Sequence, residues 1–330
     1  MRKFLILISI LVVLGICVIF FYVTRFEEIP PETKIQDITV DGFSVKFFIT
    51  EDNELYIGGE HTDSFGLYDK TGFRWSFMYA VRGIFGKTDV PVLFAKNVVQ
   101  VFEASDGFLF TDVDGTLYYF GSKSKGKITM LAEDVTCASS YRQNVYYVTA
   151  SGDGYRKILS EAIVEKVASN VNYVYTNGIA YRIIDNSGKI YQLNVSETDC
   201  ANTTSTKNGA VIDVGNDYNS TYILTSKGKL TLYQWSTGII GGEENVPYSL
   251  SEQALLADMN FDHVCYFDRE GRLSIVSCRG KDIDTESSEM RLLDRTDIID
   301  IAVDYDAVYV LVSDGSYYKI EIRDKGQWTF

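Results

Sequence analysis

A β-hairpin pattern that recurs seven times is the feature that most constrains how this chain can fold. Its clearest copy lies at 98–121, where alternating apolar runs flank the turn Asp114-Gly115. Asp-Gly between alternating apolar runs is a strong hairpin signal, because a tight hairpin turn needs a positive φ, which glycine adopts without a Cβ clash. The pattern therefore predicts a chain built almost wholly of short paired strands.

The spacing of the hairpins predicts how they are arranged. Their turn residues fall at 53, 115, 154, 188, 228, 271 and 315, so successive copies are 62, 39, 34, 40, 43 and 44 residues apart. A period of about 40 residues, with about four strands per unit, is typical of a β-propeller blade. We therefore predict an all-β fold, a seven-bladed β-propeller, with a β-sandwich or two stacked barrels as the alternative.

Further strands are predicted on both sides of the hairpins. An apolar run precedes each hairpin; these runs are Ile35–Val40, Val98–Phe102, Val135–Ala138, Val171–Tyr175, Val211–Val214, Leu255–Met259 and Ile298–Val303. A fourth strand is predicted at Lys125–Met130 after the second hairpin, and Lys325–Phe330 at the end of the chain matches it. The last unit is therefore predicted to be complete, so that the ring closes without a missing strand.

The N-terminal segment Phe4–Val23 has twenty residues, no charge and Ser9 as its one polar side chain. An α-helix of this length spans roughly 30 Å, the thickness of the hydrocarbon core of a bilayer. The segment is therefore predicted to be one N-terminal transmembrane helix, an uncleaved signal anchor. A cleaved signal peptide and a lipoprotein anchor at Cys17 are the alternatives.

The charges around this segment predict its orientation. Arg2 and Lys3 precede it and Arg25 follows it. Because cytoplasmic flanks carry the excess of positive charge, we expect a single-pass protein of the cell membrane with a cytoplasmic N-terminus and the propeller outside. The predicted organisation is a cytoplasmic stub and anchor at 1–24, a juxtamembrane linker at 25–34 and the propeller at 35–330.

Composition limits the partners that this chain can have. The net charge is −14, from 45 acidic and 31 basic residues, and 46% of the residues are hydrophobic. The hydrophobic fraction is sufficient for a large core. The acidic surface repels phosphate backbones, which argues against a nucleic-acid partner.

The segments Gly59–Gly66 and Val90–Gly121 resemble the repeats of the regulator of chromosome condensation family. The positions that match its pattern are Ser105, Thr111, Asp114, Gly115, Tyr118 and Gly121. The resemblance implies a seven-bladed propeller that acts as a protein-binding ring. The family's histidine is absent near Phe108, and repeats three to seven keep the hairpin but lose most of the glycine pattern. Nucleotide exchange on a small GTPase is not expected of a chain anchored outside the cytosol.

Few residues of the sequence indicate chemistry. The chain has two histidines, His61 and His263, in different repeats, and no nucleophile-elbow, zinc-protease or P-loop motif. The sequence at Asp112–Gly115 starts like a calcium loop but is better explained as a hairpin turn. Cys265 and Cys278 are expected on adjacent strands, where two buried thiols are favoured over a disulfide. We therefore predict no metal and no cofactor.

One insertion breaks the repeat and is the predicted binding site. Between Tyr68 and Asp89 the chain is cationic and aromatic, although the protein as a whole is acidic. Arg, Trp and Tyr are enriched in binding hot spots. The candidate partner-binding residues are Phe73, Arg74, Trp75, Phe77, Tyr79, Arg82 and Phe85. Packing of this loop onto the ring, or contact with the nearby membrane surface, are the alternatives.

These observations predict a non-catalytic, extracytoplasmic interaction scaffold that presents loops to a protein or to a cell-envelope component. The alternative is a carbohydrate-active propeller enzyme that uses paired carboxylates on one face of the ring. A third possibility is a purely structural spacer.

Overall fold

The computed structural model describes residues 12–15, 28–40, 45–59, 90–104, 107–124, 127–176, 180–185, 189–194, 201–205, 210–216, 220–234, 246–260, 263–278 and 289–322. Of the predicted span Phe4–Val23 it describes one helical turn, Val12–Gly15. None of the helical structure in these ranges is long and apolar enough to cross a bilayer, so the predicted transmembrane helix is not supported.

The described residues form seven antiparallel sheets. Sheet 1 comprises β1 Ile35–Val40, β2 Val45–Thr50, β3 Glu54–Gly59 and β4 Val92–Lys96; sheet 2 comprises β5 Val98–Ala104, β6 Gly107–Asp112, β7 Leu117–Gly121 and β8 Thr129–Ala132; sheet 3 comprises β9 Val135–Tyr141, β10 Asn144–Thr149, β11 Asp153–Ile158 and β12 Val164–Ser169.

The remaining sheets repeat this order. Sheet 4 comprises β13 Val171–Thr176, β14 Ala180–Asp185, β15 Lys189–Asn194 and β16 Ala201–Ser205; sheet 5 comprises β17 Val211–Asn216, β18 Ser220–Thr225, β19 Leu230–Gln234 and β20 Val246–Ser251; sheet 6 comprises β21 Ala254–Asn260, β22 His263–Asp268, β23 Arg272–Ser277 and β24 Glu289–Asp294; sheet 7 comprises β25 Ile298–Val303, β26 Ala307–Val312 and β27 Tyr317–Glu321.

One backbone hydrogen bond recurs where neighbouring sheets meet. The carbonyl of a turn residue between the second and third strands accepts from the first amide of the next sheet; the pairs are Asn53–Val98, Gly115–Val135, Gly152–Val171, Gly228–Ala254 and Gly315–Ile35. The last pair joins sheet 7 to sheet 1, with N···O 3.4 Å. The first strands thus follow one another around the centre, and the sheets close into the ring of a β-propeller.

The hydrophobic core lies between neighbouring sheets. Phe47 of sheet 1 packs on Phe108 of sheet 2, with ring centroids 4.8 Å apart. Phe48 and Tyr56, on the other side of sheet 1, pack against Leu311 of sheet 7, and all three side chains are fully buried. Burial of each such side chain contributes about 1.5–3 kcal/mol. Apolar residues on both faces of a sheet therefore pack against the two neighbouring sheets.

The predicted all-β fold and its hairpins are confirmed, whereas the described residues show six complete four-stranded blades rather than the predicted seven. All the predicted hairpins pair in register. Six sheets have the four strands of a blade, whereas sheet 7 has three in the described residues. Its predicted fourth strand, Lys325–Phe330, lies outside them. In sheet 2 the fourth strand is Thr129–Ala132 rather than Lys125–Met130, because β8 pairs with Leu117–Tyr119 beyond a bulge.

The structure excludes a disulfide between Cys265 and Cys278. Both side chains are buried free thiols. Cys265 lies opposite Ile275 and packs toward sheet 7, whereas Cys278 packs among residues of sheets 5 and 6. The two sulfur atoms therefore face opposite sides of sheet 6, which a disulfide cannot bridge.

Candidate functional site

The insertion predicted as the binding site lies outside the described residues, and so do Phe73, Arg74, Trp75, Phe77, Tyr79, Arg82 and Phe85. Its two ends are fixed in sheet 1. Gly59 pairs with Val45, and Val92 pairs with Ile57. The insertion therefore leaves the sheet at the end opposite the tight turn at Asn53. We call its side of the ring the loop face and the other side the turn face.

A β-bulge recurs at the turn face in the first strand of every described sheet. The second residue of the strand has no partner on the next strand, and the register shifts around it; these residues are Gln36, Val99, Thr136, Asn172, Ile212, Leu255 and Ile299. A bulge re-aims a side chain out of the regular alternation. All seven residues are exposed. The bulges therefore present one side chain per sheet around the centre of the ring.

Apolar side chains occupy this position in three consecutive sheets. Ile212, Leu255 and Ile299, of sheets 5, 6 and 7, are exposed to 48%, 42% and 44%. We call these three residues the apolar arc. Val99 of sheet 2, with 42% exposure, is separated from the arc by Gln36 of sheet 1. Neighbouring exposed aliphatic side chains are typical of interaction surfaces.

Four carboxyl groups lie on the first strands of sheets 5, 6, 7 and 1, one to three residues after the bulge residue of each strand. We call them the inner aspartates: Asp213, Asp258, Asp300 and Asp37. All four residues are half-buried. The Oδ2 atom of Asp300 accepts from the amide of Ile38 at 2.9 Å. The Oδ2 atom of Asp258 accepts from the amide of Val303 at 2.6 Å.

The environment of the inner aspartates favours their neutral forms. Poor solvation, together with the negative charges of Asp213 and Asp37, raises the pKa of Asp258 to about 7, against hydrogen bonds from backbone amides that lower it. Poor solvation and the charge of Asp37 raise the pKa of Asp300 to about 9. The pKa values of Asp37 and Asp213 are also raised by burial. The centre of the ring thus brings together four carboxyl groups whose ionisation is opposed by poor solvation and, at Asp258 and Asp300, by neighbouring carboxyls.

Side chains also tie neighbouring sheets together elsewhere around the ring. The Thr176 amide of sheet 4 donates to Ser139 Oγ of sheet 3 at 3.1 Å. The Tyr173 hydroxyl of sheet 4 donates to the carbonyl of Ile212 at 2.8 Å, and the Tyr222 hydroxyl of sheet 5 to that of Ala257 at 2.7 Å. With the bonds to Asp258 and Asp300, five consecutive junctions are tied, from sheets 3–4 to sheets 7–1. Part of the role of the inner aspartates is therefore structural.

The Asp37–Asp300 pair does not match the carboxyl arrangement of a glycosidase. The carboxyl groups of Asp37 and Asp300 are hydrogen-bonded to each other. A glycosidase needs its two carboxyls about 5–9.5 Å apart. Burial raises the pKa of the Cys137 thiol to about 11, which opposes a nucleophilic role. Within the described residues, no group of His, Cys, Asp and Glu side chains is arranged to hold a metal ion.

Sequence analysis missed the inner aspartates and the bulges. Their signal is present in the sequence, because Asp is the third residue of three of the predicted strands, as in Ile35–Asp37, Val211–Asp213 and Ile298–Asp300. Of the two histidines, His263 begins β22, and His61 lies outside the described residues.

No family model matches the chain, and neither does any curated protein sequence. Solved structures resemble it instead. Yeast RCC1 (Prp20) is 10% identical over 88% of this chain and 81% of that one, with a TM-score of 0.59. A chain of the mitotic checkpoint complex is 13% identical over 91% of this chain and 94% of that one, with a TM-score of 0.60.

A third similar structure is YCF48 from Cyanidioschyzon merolae, which is 12% identical over 89% of this chain and 98% of that one, with a TM-score of 0.53. At these identities the similarity concerns the fold alone. It agrees with the described sheets, and the fold expected from the repeat resemblance is found in yeast RCC1 as well. The chain is a β-propeller that resembles these structures.

Proposed function

We propose that this protein is a non-catalytic interaction scaffold that binds another protein through the exposed faces of its ring. The observation that carries the proposal is the closed circle of sheets, tied at successive junctions, which holds exposed side chains in fixed positions on two faces. Such rigidity lowers the entropic cost of binding. Similar propellers bind proteins: yeast RCC1 is bound to Kap60, and YCF48 to a D1 peptide.

The location of the scaffold is part of the proposal. The uncharged segment Phe4–Val23 supports a membrane anchor, and Arg2 and Lys3 before it support a cytoplasmic N-terminus. The propeller then lies outside the cell membrane, where its partner is a protein or a cell-envelope component. The seven-bladed count is also proposed, with sheet 7 as the last blade; the turn of Gly315 against Ile35 supports it.

The favoured contact is the cationic aromatic insertion on the loop face, because it adds basic and aromatic residues to an acidic protein. Its test is proximity cross-linking of the full-length protein in native membranes. The variant Trp75→Ala/Arg82→Ala removes one large aromatic and one cationic side chain. Removing two such hot-spot residues typically costs about tenfold or more in affinity. We expect a specific cross-linked partner with the parent chain and its loss with the variant.

The matched control is Lys123→Ala. Lys123 is exposed and lies just after β7, on the same face as the insertion. This variant should keep the cross-linked partner. Equal capture by all three chains would disprove the role of the insertion, and no specific partner for the parent chain would disprove the scaffold function. Circular dichroism of each purified variant excludes loss of fold as the cause.

A further inference from the structure

The apolar arc and the inner aspartates occur together on one side of the ring. The arc belongs to sheets 5, 6 and 7, and the inner aspartates to sheets 5, 6, 7 and 1. On the opposite side, the bulge residues Thr136 and Asn172 are polar, and Cys137 and Tyr173 follow them. At these positions of its first strands the ring is therefore apolar and acidic in sheets 5, 6 and 7 and neutral in sheets 3 and 4. A partner that fits it must be asymmetric in the same way.

The apolar arc and the inner aspartates together favour one kind of binding partner. A cation placed among the inner aspartates favours their ionised forms, which poor solvation opposes and, at Asp258, the carboxyls of Asp213 and Asp37 oppose as well. The exposed aliphatic side chains around them offer apolar contact. A lysine or arginine has a cationic end on an aliphatic stem, so that one side chain contacts both surfaces.

Other occupants fit less well. A second copy of this chain carries a net charge of −14 and would bring the same acidic centre to the contact. An anionic lipid surface is repelled by the inner aspartates in the same way. A cationic segment of another protein is attracted by both the local and the net charge.

We propose that the turn face binds a segment of another protein in which a lysine or arginine lies next to aliphatic or aromatic residues. The apolar residues pack on Ile212, Leu255 and Ile299, and the cation faces the inner aspartates. This surface lies at the end of the strands opposite Gly59 and Val92, between which the insertion of the proposed scaffold contact is found, so the two proposals rest on different residues. The inference rests on the proposed function only in taking the ring to be a protein-binding module.

The probe is a random dodecapeptide library displayed on phage and selected against the full-length protein in detergent micelles. Selected peptides should be enriched in Lys or Arg beside apolar residues. The variant Leu255→Ser/Ile299→Ser changes two exposed side chains and should bind the best peptide about tenfold more weakly, because aliphatic contact area is lost. The matched control is Val99→Ser, which changes an equally exposed bulge residue outside the arc and should leave the affinity unchanged.

A second measurement isolates the charge. Replacing the arginine of the selected peptide by citrulline keeps its shape and removes its charge. The parent chain should lose about tenfold in affinity, since a charge-assisted contact is lost. The variant Asp258→Asn should lose clearly less, because the coupling between the two groups is then already broken. Equal losses for parent and variant would place the cation elsewhere and overturn the proposal.

Several other outcomes would also overturn it. These are selection of peptides without a basic residue, no selection at all, equal loss with Val99→Ser, arc-dependent binding to phosphatidylcholine vesicles, and arc-dependent self-association in sedimentation. The insertion variant Trp75→Ala/Arg82→Ala should keep peptide binding. Loss of the cross-linked partner with that variant, together with no peptide selection, would contradict this inference and leave the scaffold function supported.

Discussion

The inner aspartates lie in surroundings that oppose ionisation of their carboxyl groups. Asp258 accepts hydrogen bonds from backbone amides, which favour its ionised form, yet poor solvation outweighs them. The raised pKa means that the folded chain binds a proton that the unfolded chain releases at neutral pH. A residue that ties two sheets together therefore makes stability depend on pH.

We predict that Asp258→Asn stabilises the protein at pH 8 and leaves its stability at pH 4 almost unchanged. An unfolded Asp has a pKa of about 3.9, so the stability that protonated Asp258 contributes to the parent chain is fully present below that value. It is lost as the pH rises to about 7, the pKa in the folded state. Asn keeps an acceptor for Val303 and does not ionise. The gain at pH 8 should be about 1–3 kcal/mol, because solvent at the centre screens part of the effect.

Urea unfolding of the parent and variant between pH 4 and pH 8 measures this difference. Asp314→Asn is the control, because a hydrogen bond from Ser316 lowers the pKa of that turn residue. Its variant should therefore show no gain at pH 8. An Asp258→Asn chain that loses as much stability as the parent between pH 4 and pH 7 would disprove the assignment of this dependence to Asp258.

The inner aspartates also mark the limit of sequence-based inference at this scale. Asp213 and Asp300 are visible in the apolar runs of the sequence, but an Asp in a strand is equally consistent with a solvated edge. Their proximity depends on ring closure, which brings residues 37 and 300 into hydrogen-bond contact. No local pattern encodes that contact.

At the scale of the element, the hairpins were predictable and the bulges were not. Gly115, Gly228 and Gly315 have positive φ in turns that the sequence marks by glycine. The bulges were hidden, because Val98-Val99 and Ile298-Ile299 read as continuous apolar runs. An extra residue in one strand leaves no trace in composition. Only the register of β5 and β25 against their neighbours reveals it.

Some turn glycines also lie close to the backbone of the next sheet. A substitution there adds a steric clash to the conformational strain of a positive φ. A Cβ atom at Gly228 would lie 3.0 Å from Gln253 Cα and 3.1 Å from the carbonyl oxygen of Ala254. At Gly115 the nearest atom, Asp134 Cα, would be 3.5 Å away. Both glycines have positive φ, at 90° and 75°. An alanine is strained at either position, but only at Gly228 does it also push against backbone.

We predict that Gly228→Ala destabilises the protein more than Gly115→Ala. The conformational strain of an L-residue at positive φ costs about 1–2 kcal/mol in both variants. The backbone shift at the junction of sheets 5 and 6 should add about 1–2 kcal/mol for Gly228→Ala. Guanidinium unfolding of the two variants side by side measures the difference. Equal destabilisation would mean that the junction adjusts freely to an added methyl group.

At the scale of the whole molecule, one junction differs from the others. Sheets 3 and 4 are consecutive in sequence, whereas sheets 7 and 1 are separated by most of the chain. Closing a long loop costs more entropy than closing a short one. The junction of sheets 7 and 1 is held by the Ile38 amide on Asp300, the Asp37–Asp300 contact and the bond from Ile35 to Gly315. Weakening these contacts should open the ring there first.

We predict that Asp300→Ala opens this junction and that Ser139→Ala, which removes the corresponding tie between sheets 3 and 4, does not open the ring. Amide hydrogen exchange measures opening residue by residue. In Asp300→Ala, the Ile38 amide should exchange about tenfold faster or more, because it loses its hydrogen-bond acceptor. The amides of β1 and β25 should follow, since both strands face the opened junction.

In Ser139→Ala, faster exchange should be confined to the Thr176 amide, because the chain itself still joins sheets 3 and 4. Asp300→Asn keeps an acceptor oxygen for the Ile38 amide. In this variant the Ile38 amide should therefore exchange more slowly than in Asp300→Ala. If Asp300→Ala speeds exchange only at Ile38 and leaves the rest of β1 and β25 protected, the apolar contacts of Phe48 and Tyr56 with sheet 7 hold the ring closed. Closure would then be hydrophobic rather than dependent on the inner aspartates.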